Sequence, residues 1–430
     1  MTKITIAQAA EFVGQEVQIN GWVYNLRSSG SICFLQVRDG SGFTQAIVNK
    51  SSVSEQVWQT AEQATIESSV ILTGQISKHP KKEEYELQVS DIKIVQISEE
   101  YPIGKKEHGP DFLLDNRHLW LRAPSQWAIQ RLRFLIKNGL QDYLNKQGYI
   151  QVDTPIFTPT SCEGTTTLFE VEYFEEKAYL SQNGQLYLEA LIFSLGKVYD
   201  LAPCFRAEKS KTRKHLTEFW ALNPEMAFVE HEESLRIQEA LIKHCFKYVL
   251  EHGQNELKIL ERDLSELQAV VDQSFVDYTY DDAIKELQKL GSAIQYGDDL
   301  GAEDEVLLTQ ESLVPVIVKN WPKSIKPFYM KRHPQNDDLV LNADILAAKG
   351  FGEIVGGSQR EDDYKILEAR MKHEKMNMDD FGWYLDLRKY GTVPHSGFGI
   401  GIERMTRWIA GIHHIRETIP FPRMINRIRP

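Results

Sequence analysis

The sequence predicts an α+β chain in two parts: a small N-terminal β-barrel, and a larger domain in which an antiparallel sheet is flanked by helices. Three observations predict it. The first hundred residues hold five short runs rich in β-branched and aromatic residues. Pro102, Gly104, Gly109 and Pro110 then punctuate a stretch of mixed charge. Beyond it, runs with three- and four-residue apolar spacing alternate with strand pairs joined by loops.

In chain order, strands are expected at 18–23, 31–37, 44–48, 70–74 and 85–89. Asp39-Gly-Ser-Gly42 marks a tight hairpin, and 55–67 can form a helix after the third strand. Five strands with that helix fit a five-stranded OB-fold barrel, whose sheet face binds oligonucleotides, although another small barrel fits the pattern too. The boundaries expected are 1–100 for this domain, 101–118 for a linker and 119–430 for the second domain. A helix at 124–147 carries Ile129, Leu132, Ile136, Leu140 and Tyr143 on one face and stops at Gly148. A strand with Pro155 is expected at 150–156, then strands at 198–208 and 216–226 joined by a basic loop, then a helix at 232–251. Residues 252–325 are mixed and acidic, give no clear pattern, and are taken as an insertion. Strands at 340–343 and 352–355 lead to a glycine-rich segment at 396–401 and a closing helix at 402–411.

Composition narrows the function. A chain of 430 residues with 42% hydrophobic content suits two domains rather than one. No run of 18 apolar residues occurs, so no membrane span is expected, and the first residues lack the apolar core of a secretory leader. The four cysteines (Cys33, Cys162, Cys204, Cys245) have no zinc-ligand or redox-motif spacing, and read as free thiols in a reducing cytoplasm. Net charge is −12, and residues 1–100 hold 8 Lys/Arg against 12 Asp/Glu. Any nucleic-acid contact must therefore be local. The basic clusters available are Lys209-Ser-Lys-Thr-Arg213-Lys214-His215 and a tail, 401–430, with 6 Arg and 2 Glu.

Three segments carry the chemistry: Phe205-Arg206-Ala207-Glu208 before the basic loop; Asp344 with Glu353-Ile-Val-Gly356-Gly357-Ser-Gln-Arg360; and Gly397-Phe-Gly399-Ile-Gly401-Ile-Glu403-Arg404. Singly, each reads as readily as strand packing. Together and in this order they resemble motifs 2 and 3 of class II aminoacyl-tRNA synthetases, with a motif-1-like stretch from Arg131 to Pro155. The ending Ile415-Arg416-Glu417-Thr-Ile-Pro-Phe-Pro422-Arg423 is similar to the aspartyl/asparaginyl branch. Phe205-Arg-Ala-Glu-Lys-Ser-Lys-Thr-Arg213 and Pro394-His-Ser-Gly-Phe-Gly399 resemble its asparaginyl members of bacterial type.

The resemblance implies activation of asparagine by ATP with Mg²⁺ and transfer to the 3′ end of tRNA(Asn), by a cytoplasmic homodimer. Arg206 and Arg404 would be the catalytic cations. Arg206 would grip the α-phosphate and the attacking carboxylate, as a planar fork can. Glu208 would accept from the adenine amino group, between Phe219 on one ring face and Arg404 on the other. Asp344 and Glu353 would offer hard oxygens to Mg²⁺. His215 and Arg213 would reach the outer phosphates or the tRNA end.

For the amino acid, aspartyl members carry a Lys where this chain has Leu188. Glu189 is expected to accept from the asparagine amide while Arg360 donates to its oxygen, a pairing that repels a carboxylate. Glu163 and Gln185 would hold the α-amino group. In the barrel, Phe34 would stack on the middle anticodon base, Gln45 would read its edge, and Arg27 would meet backbone phosphate. A residue of the barrel core is the other reading of Phe34. Where aspartyl relatives carry a late Glu, this chain shows Gln88. The alternatives are an aspartyl or relaxed Asp/Asn synthetase, an asparagine synthetase, and a non-catalytic RNA-binding paralogue. The retained Arg206, Glu208, Glu353 and Arg404 oppose the last.

Overall fold

Alternation of inward apolar and outward polar residues builds the N-terminal barrel. Its strands are β1 (Glu16–Ser28), β2 (Ile32–Arg38), β3 (Phe43–Asn49), β4 (Ser69–Lys78) and β5 (Tyr85–Gln96), with helix α1 (Glu55–Gln63) between β3 and β4. In β2, Cys33, Leu35 and Val37 are buried while Phe34 and Gln36 face outward. β1, β2 and β3 pair antiparallel, β3 runs parallel to β5, and β4 pairs with both β5 and β1, so the five strands close. Trp58 and Ala61 of α1 plug one opening. The β2–β3 hairpin is set by Asp39. Its Oδ1 accepts from the Ser41 and Gly42 amides (2.9 and 3.2 Å), and Gly40 takes φ +87°. The barrel is thus of the OB type.

This computed structural model describes residues 1–104, 106–159, 167–209 and 212–430, and the chain divides into two units, Met1–Leu113 and Leu114–Pro430. Within the stretch expected as a linker, Pro110–Asp115 and Arg117–Trp120 are helical.

The second unit is built on α2 (Pro124–Lys146), α3 (Gln185–Leu195), β6 (Lys197–Phe205), β7 (Glu218–Ala227), α4 (His231–His252), β8 (Val276–Thr279), α5 (Ala302–Thr309), β9 (Val316–Lys319), β10 (Asn342–Ala347), β11 (Gly352–Gln359), α6 (Tyr364–His373), α7 (Gly382–Asp386), β12 (His395–Gly401) and α8 (Ile402–Ala410). Its main sheet runs β8-β9-β10-β11-β12-β7-β6 and ends on the two-residue strand Ile150–Gln151. Neighbours are antiparallel except the outermost pair at each edge. Pro124 opens α2 and Gly148, at φ +79°, follows its end. The α2 stripe Ile129, Leu132, Ile136 and Leu140 is fully consumed inside this chain, packed with Phe246 of α4, Trp408 of α8 and the sheet residues Leu222, Met226 and Phe398.

Two expectations change. Of 150–156 only Ile150–Gln151 is strand, because Pro155 cannot donate to a ladder. And 252–325, which gave no clear pattern, is ordered and takes part in the main fold. β8 and β9 widen the main sheet, Leu257, Leu267 and Val270 join its core, and Tyr280, Ile284, Leu287, Val316, Val318 and Trp321 form a further apolar cluster. Short strands and helices of mixed charge gave the sequence no long period to detect.

Candidate active site

Period-two alternation along β7 decides what the open sheet face offers. Leu222 and Met226 point into the core, while Phe219, Ala221, Asn223 and Glu225 line a cleft of about 1470 Å³. On β12 Gly399 and Gly401 line it; Arg206, just past β6, and Arg404, in the first turn of α8, bring guanidinium groups to it. Glu208 and His215 line the same cleft, and the Arg206 guanidinium carbon lies 5.5 Å from the Phe219 ring centre. The expected nucleotide residues therefore share one cavity.

Asp344 of β10 and Glu353 of β11 face each other across Gly356. A Cβ at that glycine would sit 3.3 Å from Glu353 Oε1 and 3.6 Å from Asp344 Oδ1, so its absence leaves a cradle between two carboxylates. Hard oxygens around a small void fit a divalent cation such as Mg²⁺. Burial and the neighbouring Glu353 push Asp344 up to about 6, even though Lys326 Nζ donates to its Oδ2 at 2.6 Å. Burial pushes Glu353 up as well, but Arg404, Lys326 and Arg206 outweigh it and hold that carboxyl below its ordinary range. Arg404 Nη1 reaches both Glu353 O (3.0 Å) and Oε2 (3.2 Å). Burial and the cations Arg404, Lys214 and Arg206 push His215 down to about 4, so its ring is neutral at pH 7.

Deeper in the cleft, Arg360 meets Glu225 through two parallel bonds, Nε to Oε1 at 3.0 Å and Nη2 to Oε2 at 2.9 Å. Its Nη1 also donates to Ser358 Oγ at 2.9 Å. Both partners are buried. Glu225 stands opposite Gly397 in the β7–β12 ladder. A Cβ at 397 would lie 1.7 Å from Glu225 Oε2 and 2.7 Å from Arg360 Nη2, so only glycine admits the pair. Burial pushes Glu225 up, Arg360 pulls it back, and Glu189 adds an upward push. Burial opposes the charge on Arg360, but Glu225 and Glu189 more than offset it.

The expectation for Glu189 is corrected here. Its carboxylate, fully buried, does not line the cleft. It accepts from Arg388 Nη2 (2.6 Å), Tyr384 Oη (2.8 and 2.9 Å), His395 Nε2 (3.0 Å) and Gln185 Nε2 (3.1 Å). Despite burial, Arg388 and His395 hold it far below the usual carboxylate range. Four donors leave it no role as a free acceptor, and the carboxylate beside Arg360 is Glu225. Leu188 is buried in an apolar cluster with Ile192 and Val198. Gln185 lines the cleft; Glu163 lies outside the described residues. Glu225 was legible in principle: it is six residues, an even step, beyond Phe219 on one strand. Arg388 and Tyr384, from the α7 region, carried no motif signal.

On the barrel, Phe34 faces outward, with the Arg27 guanidinium carbon 4.5 Å from its ring centre. Beside it a polar row crosses four strands: Asn25 Nδ2 donates to Gln36 Oε1 (2.8 Å), Gln36 pairs in register with Gln45, and Gln45 Nε2 donates to Glu86 Oε1 (2.8 Å). Gln88 instead donates to Ser77 Oγ (3.0 Å), and the acid paired with Gln45 is Glu86.

Residues 109–425 match the family described as tRNA synthetases class II (D, K and N), and 17–95 match the OB-fold nucleic acid binding domain. An asparagine–tRNA ligase of Pelotomaculum thermopropionicum is 48% identical over 431 residues, with 100% of both chains covered. The asparaginyl-tRNA synthetase of Pyrococcus horikoshii, solved with asparaginyl-adenylate, superposes with a TM-score of 0.95 at 41% identity, covering 100% of both chains. A putative aspartyl-tRNA synthetase from Leishmania major Friedlin gives a TM-score of 0.85 at 25% identity, covering 100% of this chain and 95% of that one.

Proposed function

Since the chain belongs to the class II tRNA synthetases of the D, K and N group, we infer that it catalyses the ATP-dependent joining of asparagine to its tRNA. The observation that carries the choice of amino acid is the Glu225–Arg360 pair on the cleft floor. A carboxamide offers one N–H₂ donor and one oxygen acceptor. Glu225 accepts from the first and Arg360 donates to the second. An aspartate side chain would set a second anion against Glu225 with its charge uncompensated, and a buried polar mismatch of that kind discriminates strongly without editing.

The chemistry follows from charge. The asparagine carboxylate attacks the α-phosphate of ATP and pyrophosphate leaves. Both reactants are anions, so the site must align them and cancel charge. Arg206 bridges the attacking carboxylate and the α-phosphate. Phe219 and Arg404 sandwich the adenine, and Glu208 accepts from its amino group. Asp344 and Glu353 would hold Mg²⁺, which would supply positive charge to the departing phosphates. The terminal ribose 3′-hydroxyl of the tRNA then attacks the adenylate carbonyl, releasing AMP. His215, neutral at pH 7, is available to the outer phosphates without adding charge. Gln185 and Glu163 take the substrate's α-amino group.

The outward Phe34 with Arg27, beside the row ending in Gln45 and Glu86, supports reading of the tRNA anticodon by stacking plus a hydrogen-bonding edge. Phe134 of α2, Ile150 on the sheet's outer strand and Phe157 are 59%, 46% and 49% exposed. Covering them in a homodimer fits the buried stripe of α2 having no partner left to seek, and Phe134→Glu should yield monomers by sedimentation. None of the helices described is long and apolar enough to cross a membrane; the working compartment proposed is the cytoplasm.

The decisive test is ATP–pyrophosphate exchange with each amino acid in turn. Exchange driven by asparagine is expected, with aspartate slower by at least about 10²-fold. Faster exchange with aspartate would overturn the assignment.

A further inference from the structure

α5 lies in the acidic stretch that the sequence left unread, yet one of its residues reaches the cleft. Glu305 is 7% exposed, and its Oε2 accepts two bonds from separate parts of the chain. Lys214 Nζ, on the basic loop, donates at 2.6 Å, and the backbone N–H of Glu353 donates at 2.9 Å. Room for this comes from Gly352, which holds φ +82° and where a Cβ would sit 2.6 Å from the same oxygen. Glu353 is thus gripped at both ends, its N–H by Glu305 and its carbonyl by Arg404.

We propose that Glu305 is a positioning residue for the ATP half of the reaction: it docks Lys214 against the start of β11, so that the basic loop and Glu353 meet the nucleotide as one preformed unit. Glu305 acts through Lys214 and Glu353, and the inference rests on the nucleotide reading of the cleft. With both side chains largely buried, solvent screens the pair little, and removing either partner would leave the other charge uncompensated. Ordering before ATP arrives removes a cost that binding would otherwise bear.

The test uses the full chain with Glu305→Gln, which keeps an oxygen for the Glu353 amide but loses the ion pair, and Lys214→Met, which breaks the pair from the loop side. Without nucleotide, amide hydrogen exchange at 212–217 should quicken about 10-fold in both variants. In pyrophosphate exchange, Glu305→Gln should raise KM for ATP about 10-fold and leave KM for asparagine within about 2-fold. The double variant should match Lys214→Met in kcat/KM for ATP, because one shared interaction is lost once. Multiplying effects, unchanged exchange at 212–217, or equal rises in both KM values would each overturn the proposal. If Glu305→Gln fails to fold, hydrogen exchange in Lys214→Met decides alone. A wild-type chain inactive with asparagine would sink the functional reading and leave the hydrogen-exchange result standing.

Discussion

In the barrel, the side chains proposed to meet nucleic acid stay near the surface: Phe34 and Arg27 stack on its outer face, and Gln45 leans on Glu86. In the second unit the charges proposed to read the amino acid are sunk. Glu225 is 1% exposed, Arg360 3%, and Glu189 is sealed behind them with Arg388 and His395. The difference follows the size of the ligand. A base has a broad face that an exposed ring can cover. A carboxamide differs from a carboxylate by one group, and telling them apart needs charges stripped of water and held in fixed partnerships. The cost is dependence on neighbours: Gly397 must lack a side chain, and every buried anion needs its donors.

That contrast can be broken, starting where the effect should be largest. Arg206→Gln removes a half-buried guanidinium that lines the cleft. Asparagine-dependent exchange should fall about 10²–10³-fold while tRNA binding by the barrel persists, measured by filter retention. Loss of both together would mean the two units are not functionally separable. Glu225→Gln and Glu189→Gln sharpen the comparison within the second unit. The first should cut the preference for asparagine over aspartate about 10–100-fold. The second should mainly lower Tm, since it leaves Arg388 short of its counter-charge, worth about 3 kcal/mol. If the two variants exchanged these phenotypes, Glu189 would be the reading group after all. Phe34→Ala should raise KM for tRNA about 10-fold, from about 1–3 kcal/mol of stacking, and leave exchange intact.

A further effect concerns acid. His231 opens α4, is 5% exposed, and burial pushes it down to about 4 from 6.5. Between those values the unfolded chain takes up a proton that the folded one refuses. The stability from this site is full above pH 6.5 and is lost as pH falls towards 4, about 2 kcal/mol by pH 5. His231→Gln should flatten that part of the Tm–pH profile of the second unit. An unchanged slope would show that His231 is not its source.

Much of this was legible in the sequence. The barrel's five strands and the helix between the third and fourth lie where the β-rich runs place them, and the motifs gather Arg206, Glu208, Phe219, Glu353 and Arg404 into one cleft. What failed had a physical cause. Glu189 and Glu225 both sit in plausible motif neighbourhoods, but one is on a helix turned towards Arg388 and the other on a strand face turned into the cleft, beside Arg360. Strand parity from Phe219 favours Glu225. The helix rotation that hides Glu189 depends on α7, which announces itself by no motif. Glu86 and Gln88 lie two residues apart on the same strand, and only the cross-strand register, which sets Glu86 opposite Gln45, tells them apart.

The strand order of the large sheet also dictates how the molecule must be made. β12, residues 395–401 of 430, lies in the middle of that sheet between β11 and β7. A growing chain can close its barrel after about a hundred residues, because all five staves are local. The catalytic sheet has to wait until nearly the whole polypeptide has left the ribosome. Until then β7 and β11 present unpaired rims to solvent, the state in which chains stick to one another or to chaperones. Premature termination anywhere before residue 395 should therefore yield an intact barrel joined to an aggregation-prone remainder, rather than a partly active enzyme.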